Sequence, residues 1–312
     1  MIDSMKTISI VVPCYNEEAT IRQFYETILS LWQEQTLAED YTPEFVFVDD
    51  GSKDETGVII RALSETDDRV RFTAFSRNFG KEAAIFCGLK QATGDAVIVM
   101  DADLQHPPAI IPDMLEKWKQ GYEIVEGVKS DRGREKRSYH LFSRLFYSLI
   151  SRMTGFDMAG SSDYKLLGRR AVDALNQLPE RATFFRALSY WIGFKSASVH
   201  YKVAERSAGK SKWTGRSLFA YAIENLTSFT YAPLRIIGLV GILILCIGIG
   251  LGIDAIISYC RGQSVGGYPS LIILLTLATG GILLSLGIIA IYIAKMYTEL
   301  KNRPRYIIDE QK

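Results

Sequence analysis

Ala96-Val97-Ile98-Val99-Met100-Asp101-Ala102-Asp103-Leu104-Gln105 is an apolar run that stops abruptly at carboxylates. Five apolar residues suit a buried strand and are too few for a helix. The same pattern recurs upstream. Thr7–Val12 is β-branched and ends at Pro13, Glu44–Val48 ends at Asp49 and Asp50, and Arg69–Phe75 reads as a further strand. Between these runs, Glu17–Trp32, Asp54–Leu63 and Lys81–Ala92 have helical spacing, the last stopped by Gly94. Such alternation predicts a mostly parallel sheet with helices on both faces, an α/β fold. In open α/β sheets ligands bind beyond the carboxyl ends of the strands, where the polar clusters of this chain fall.

Three clusters stand at those ends. Pro13, Tyr15, Asn16 and Glu17 follow the first strand and make a strand-to-helix turn with Asn16 as a cap. Asp49, Asp50, Gly51, Ser52 and Asp54 follow the second, again a turn with Ser52 or Asp54 as helix cap. Two adjacent carboxylates closing an apolar strand are costly unless bonded, and a base or ribose can supply the bonds. The third cluster is Asp101, Asp103 and Gln105. In an extended chain these three project to one side and offer hard oxygens, which suit Mg²⁺ or Mn²⁺ completed by substrate phosphates and water.

The 312 residues carry a net charge of +1, so the average says nothing about partners, but the distribution does. Ile236–Tyr259 holds one charge, Asp254, and Ser270–Ala294 holds none. Each run is long enough to cross a hydrocarbon core, which needs about 20 apolar residues. Lys210, Lys212, Arg216 and Arg235 precede the first run, and Lys295, Lys301, Arg303 and Arg305 follow the second, whereas the Arg261–Pro269 loop carries only Arg261. That asymmetry places both flanks in the cytoplasm. Residues 1–230 are therefore expected as a cytoplasmic catalytic domain, 231–297 as a two-helix anchor and 298–312 as a cytoplasmic tail. Segments 138–153 and 214–231 carry aromatic-rich faces at helical spacing and are read as core helices or as helices lying in the membrane interface. Cys14, Cys87, Cys246 and Cys260 are scattered, as are His106, His140 and His200, and suggest neither a disulfide framework nor a zinc site.

Pro13–Glu17, Asp49–Ser52, the run Ser76-Arg77-Asn78-Phe79-Gly80-Lys81-Glu82, Asp101–Pro107 and the two C-terminal runs together resemble a family 2 glycosyltransferase with a GT-A (Rossmann-like) fold. The closer resemblance is to bacterial polyprenyl-phosphate glycosyltransferases of the GtrB and dolichol-phosphate-mannose-synthase type, over nearly the whole chain. It implies a membrane-anchored enzyme that inverts at the anomeric carbon. The sugar, glucose or N-acetylglucosamine from UDP, would pass to undecaprenyl phosphate for cell-envelope glycans. The implied roles are donor contacts for Pro13, Tyr15, Glu17, Asp49, Asp50, Lys81, Asp101 and Ala102, metal ligation for Asp103 and Gln105, and a catalytic position for Asp163. Around Asp163 the family pattern Gly-Asp-Phe-Arg reads Ser162-Asp163-Tyr164-Lys165, and Lys lacks the planar fork of Arg. Arg206, Lys210, Ser211 and Lys212 match a basic loop for the acceptor phosphate, and Arg132 and Arg137 add a second basic stretch. The implied partners are a nucleotide sugar, a polyprenyl phosphate, the lipid bilayer and further copies of the chain as a homo-oligomer (a tetramer by resemblance), with no nucleic acid. A processive polysaccharide synthase would add a Gln-x-x-Arg-Trp motif and more spans; an inactive membrane scaffold would not need every donor and metal residue.

Overall fold

The computed structural model describes residues 5–34, 37–129, 162–180, 184–201, 232–262 and 267–312. It divides into two compact units, one of residues 1–212 with 304–312 and one of residues 213–303.

The first unit is built on β1 (Lys6–Cys14), α1 (Ile21–Glu34), α2 (Leu37–Asp40), β2 (Tyr41–Asp49), α3 (Thr56–Thr66), β3 (Val70–Phe75), α4 (Lys81–Gln91) and β4 (Ala96–Val99). These match the alternation read from the sequence. The second half adds α5 (Ile111–Lys119), β5 (Ile124–Lys129), β6 (Lys165–Gly168), α6 (Arg169–Asn176), α7 (Phe185–Trp191) and β7 (Ser196–Tyr201). The sheet runs β7-β5-β6-β4-β1-β2-β3, and an eighth strand, β8 (Ile308–Gln311), covers β3 as the far edge strand. β1 pairs in parallel with both β2 and β4, and β2 with β3. β6 lies antiparallel between β4 and β5.

The two-residue period of the central strands explains the layering. Ile8, Ile10 and Val12 of β1 join Phe45 and Phe47 of β2 in one core, covered by Phe24, Ile28 and Trp32 of α1. Phe24 meets Phe47 edge to face at 6.2 Å. On the other face α4 lies close to β1: a Cβ on Gly88 would come within 2.3 Å of Val11 Cγ1. Only glycine lets the helix backbone approach that far, and this fixes where the N-terminus of α4 emerges.

Residues 298–312 do not form a plain tail. β8 pairs antiparallel with β3, and Phe72 and Lys312 exchange backbone hydrogen bonds of 3.0 and 2.8 Å. Ile-Asp-Glu-Gln has little β-propensity, so it is the unpaired edge of β3 that calls for a strand there.

The second unit contains α8 (Ala232–Cys260) and α9 (Tyr268–Leu300). Among the described residues, Ala278–Leu300 is long and apolar enough to cross a membrane, and Leu239–Gly250 is a shorter apolar stretch. Leu275 and Leu284 are each 67% exposed, largely uncovered by the described residues. The segments 138–153 and 214–231 lie outside the described residues.

Candidate active site

The loops after β1 and β2 are laced together by side-chain oxygens that accept backbone N–H groups. Asn16 sits in the left-handed region at φ 55°, where its side chain accepts the Lys53 N–H at 2.9 Å. The Asn16 N–H in turn donates to Ser52 Oγ at 2.9 Å, and that of Glu17 to Thr56 Oγ1 at 2.8 Å. Asp49 Oδ1 accepts the Ser52 N–H at 2.9 Å. Tyr15 stays 43% exposed beside this turn.

Asp50 is committed to the framework. Its two oxygens accept the N–H groups of Phe79 at 2.6 Å and Gly80 at 2.9 Å. Burial raises its carboxyl pKa, the two amides oppose that rise, and the Asp49 charge adds to it. Asp50, expected as a donor contact, thus also supports the Ser76–Gly80 loop with both oxygens. Gly51, at φ 67°, lets that loop rest on the turn: a Cβ there would meet the Arg77 carbonyl carbon at 2.5 Å.

The loop delivers Lys81 at the start of α4. Its ammonium lies 2.7 Å from Asp101 Oδ1 and 2.8 Å from Asp163 Oδ2. Arg186 of α7 holds Asp163 from the other side, Nε to Oδ1 at 2.7 Å and Nη2 to Oδ2 at 3.0 Å. Burial alone would raise the Asp163 carboxyl; Arg186 and Lys81 outweigh it and hold the group well below the usual carboxylate range. Burial is likewise overcome at Asp101, where Lys81 and His106 hold the pKa at about 2. His106 Nε2 lies 3.7 Å from Asp101 Oδ2, and its Nδ1 is 2.7 Å from the Tyr201 hydroxyl. Glu82 completes the cluster. Its Oε2 accepts the Phe185 N–H at 2.8 Å, and burial with the Asp163 charge pushes its pKa up to about 7.

Asp101–Gln105 is not extended. The segment turns, Leu104 takes φ 54°, and Asp103 Oδ1 accepts the Gln105 N–H at 3.0 Å. The regular alternation expected there is broken by this side-chain-to-backbone turn. Asp101 is occupied by Lys81, which leaves Asp103 and Gln105 as hard-oxygen donors. Burial raises the Glu17 carboxyl, and the charges of Asp103, Asp101 and Asp54 raise it further, so the site is electronegative before any cation enters. Among the described residues no three His, Cys, Asp or Glu side chains converge as a cage. Two protein oxygens in a negative field fit a divalent ion whose remaining ligands are phosphates and water.

Lys165 does not reach the site. It is fully buried, its ammonium 2.7 Å from Glu126 Oε1, and burial pushes its pKa down. Glu126 also accepts the Ser162 N–H at 2.8 Å and the Tyr190 hydroxyl. The Lys-for-Arg difference therefore bears on the packing behind Asp163.

Pro13, Tyr15, Glu17, Asp49, Asp101, Ala102, Asp103, Gln105 and Asp163 all fall at the carboxyl end of the central strands. Arg132, Arg137, Arg206, Lys210, Ser211 and Lys212 lie outside the described residues. Sequence reading missed Arg186, Glu126 and Tyr190 and left His106 unassigned. His106 follows Gln105 directly, a signal within reach; Arg186 is 23 residues from Asp163 with no motif around it.

The family model described as glycosyl transferase family 2 matches residues 9–175. The SfII prophage-derived bactoprenol glucosyl transferase of Shigella flexneri is 40% identical over 303 residues, covering 96% of this chain and 97% of that protein. The prophage bactoprenol glucosyl transferase homolog of Escherichia coli K12 is 39% identical over 310 residues, covering 98% and 99%. Among solved structures, glucosyl-3-phosphoglycerate synthase of Mycobacterium tuberculosis aligns at a TM-score of 0.48 and 22% identity, over 70% of this chain and 76% of that one.

Proposed function

Because the chain belongs to glycosyl transferase family 2, we propose that it transfers glucose from UDP-glucose to undecaprenyl phosphate at the cytoplasmic membrane face, with inversion. One observation carries this reading. The likeness to bactoprenol glucosyl transferases covers 96% of the chain, whereas the family model stops at residue 175, so the shared sequence includes the long apolar helices. A transferase of soluble acceptors has no need of them. The names of these relatives also favour glucose over N-acetylglucosamine.

The reaction is a displacement at the anomeric carbon. The acceptor phosphate attacks, and the bond to the nucleoside diphosphate breaks. A phosphate monoester carries about −1.5 to −2 charges at pH 7, so it is already a nucleophile and needs no base. Asp163 suits a different task. Both its oxygens are engaged, and it fixes Lys81 and Arg186 as two cations on one carboxylate. A fork of Arg on a carboxylate matches phosphate geometry equally well, so these cations stand where phosphate oxygens can claim them. Asp103 and Gln105 would hold Mg²⁺ or Mn²⁺. Bound there, the ion would supply Lewis-acid neutralisation of the departing diphosphate. Pro13, Tyr15, Glu17 and Asp49 line the nucleotide side. α8 and α9 both cross the bilayer in this reading, with their Lys- and Arg-rich flanks inside.

The test uses full-length protein in proteoliposomes with undecaprenyl phosphate, Mg²⁺ and one of UDP-glucose, UDP-N-acetylglucosamine or GDP-mannose. Mass spectrometry should find a single hexose on the lipid phosphate with UDP-glucose alone. Product with another donor only, or a polymer, would refute the assignment.

A further inference from the structure

The chain after α9 returns to the catalytic unit and touches the loop that leads into Lys81. Tyr306 stacks on Phe75, ring centroids 4.8 Å apart and planes within 10°. Phe75 meets Phe79 edge to face at 5.8 Å, and Phe79 donates its N–H to Asp50. The Ser76 N–H is held by the Ile307 carbonyl at 3.1 Å. Arg305 lies over the Phe86 ring of α4, 5.0 Å from its centroid, and donates to the carbonyls of Leu178, at 2.7 Å, and Glu180.

The Ser76–Gly80 loop is therefore held from two sides. On one, the Gly51 turn and the Asp50 carboxylate take its backbone. On the other, Tyr306 and Ile307 take its first residues and the ring that anchors it. The loop has little apolar burial of its own: Arg77, Asn78 and Ser76 are exposed, and the guanidinium of Arg77 covers the Phe79 ring at 4.3 Å. Segments with few buried contacts open locally at low cost, so an external brace has a large effect on their population of closed states. Lys81 follows this loop directly, and its ammonium must meet Asp101 and Asp163 together.

We propose that Tyr306 is a positioning residue. By stacking on Phe75 it holds the Ser76–Gly80 loop against Asp50 and thereby sets Lys81 in the donor site. The functional half of this statement rests on the donor role proposed above for Lys81; the structural half does not.

The experiment compares full-length wild type with Tyr306→Ala and Tyr306→Phe in detergent micelles by amide hydrogen exchange and by kinetics. In Tyr306→Ala, exchange of the Phe79 and Gly80 amides should quicken at least tenfold while β1 and β4 keep their protection. Tyr306→Phe keeps the ring and should stay within twofold of wild type. The donor Michaelis constant of the alanine variant should rise about tenfold, with the lipid constant within twofold. Should the alanine variant not accumulate, Tyr306→Leu, which keeps apolar bulk without a flat ring, carries the same measurement. Unchanged exchange at Phe79 and Gly80, or equal loss of protection throughout β1 and β4, would overturn the proposal. Failure of wild type to glycosylate the lipid would sink the functional reading alone, and the exchange data would still decide the brace.

Discussion

Asp50 and Asp163 are both buried carboxylates at the carboxyl end of one sheet, and they are satisfied by different partners. Asp50 takes two backbone N–H groups, from Phe79 and Gly80. Asp163 takes two side-chain cations, Lys81 and Arg186. Backbone amides stay where the fold puts them and carry no net charge to hand on. Cations on long side chains can exchange one anion for another without refolding anything. Asp50 therefore ties two backbone segments together, whereas Asp163 holds two side-chain cations, one of them shared with Asp101.

Asp103 tests the comparison most severely: one of its oxygens accepts the Gln105 amide, and the group is proposed as a metal ligand. Asp103→Asn keeps an acceptor for that amide and loses the charge. Turnover should fall to near background with the thermal midpoint unchanged. Near wild-type turnover in chelator-treated buffer after Mg²⁺ is restored would remove Asp103 from the metal site. Asp163→Asn comes next. It weakens two charged hydrogen-bonded contacts, each worth about 1.5–3 kcal/mol, so the rate at saturating donor and lipid should drop roughly a hundredfold or more. A loss under threefold would show that the two cations do not need their shared anion.

Asp50→Asn should behave in the opposite way. The amide can accept from only one of the Phe79 and Gly80 N–H groups and turns its own NH₂ on the other. Stability should fall by about 1–3 kcal/mol in urea titration, and the saturated rate should change little. A rate collapse without loss of stability would make Asp50 a substrate contact after all.

Glu82 sharpens the contrast through pH. Its folded pKa, about 7, exceeds the ordinary 4.5 because burial and Asp163 disfavour the charged form. Between those values the folded protein holds more of this proton than the unfolded chain does. Its contribution to stability is therefore full below about 4.5 and is lost as pH rises towards 7. Glu82→Gln should flatten that slope, measured as urea midpoints at pH 5 and 7.5; an unaltered slope would deny Glu82 the shift. The smallest effect belongs to Ser52→Ala, which removes the hydroxyl that accepts the Asn16 N–H. At this partly exposed turn the cost should be about 0.5–1 kcal/mol with unchanged kinetics. A loss above twice that would mean the two loops depend on one bond.

The sequence was most readable where structure is local. β1, β2, β3 and β4 announce themselves by apolar runs ending at polar residues, and the motif positions follow from those ends. It was least readable where partners are far apart along the chain. Nothing near Arg186 marks it as the mate of Asp163, and nothing in Ile308–Gln311 resembles a strand. The bend at Leu104 was hidden for a subtler reason. Asp103 can hydrogen-bond its own backbone two residues on, and that local choice outweighs the extended geometry the preceding strand suggests.

β8 also dictates an order of manufacture. A ribosome completes β1 through β7 first, then both apolar helices, and only afterwards the strand that covers β3. N-terminal segments fold as they emerge, so the nascent sheet waits with one edge open while the helices are being placed. An open edge is a template for pairing with other chains. A fragment cut before α8 would be left permanently in that state, prone to aggregate and without the Tyr306 and Ile307 contacts to Phe75 and Ser76.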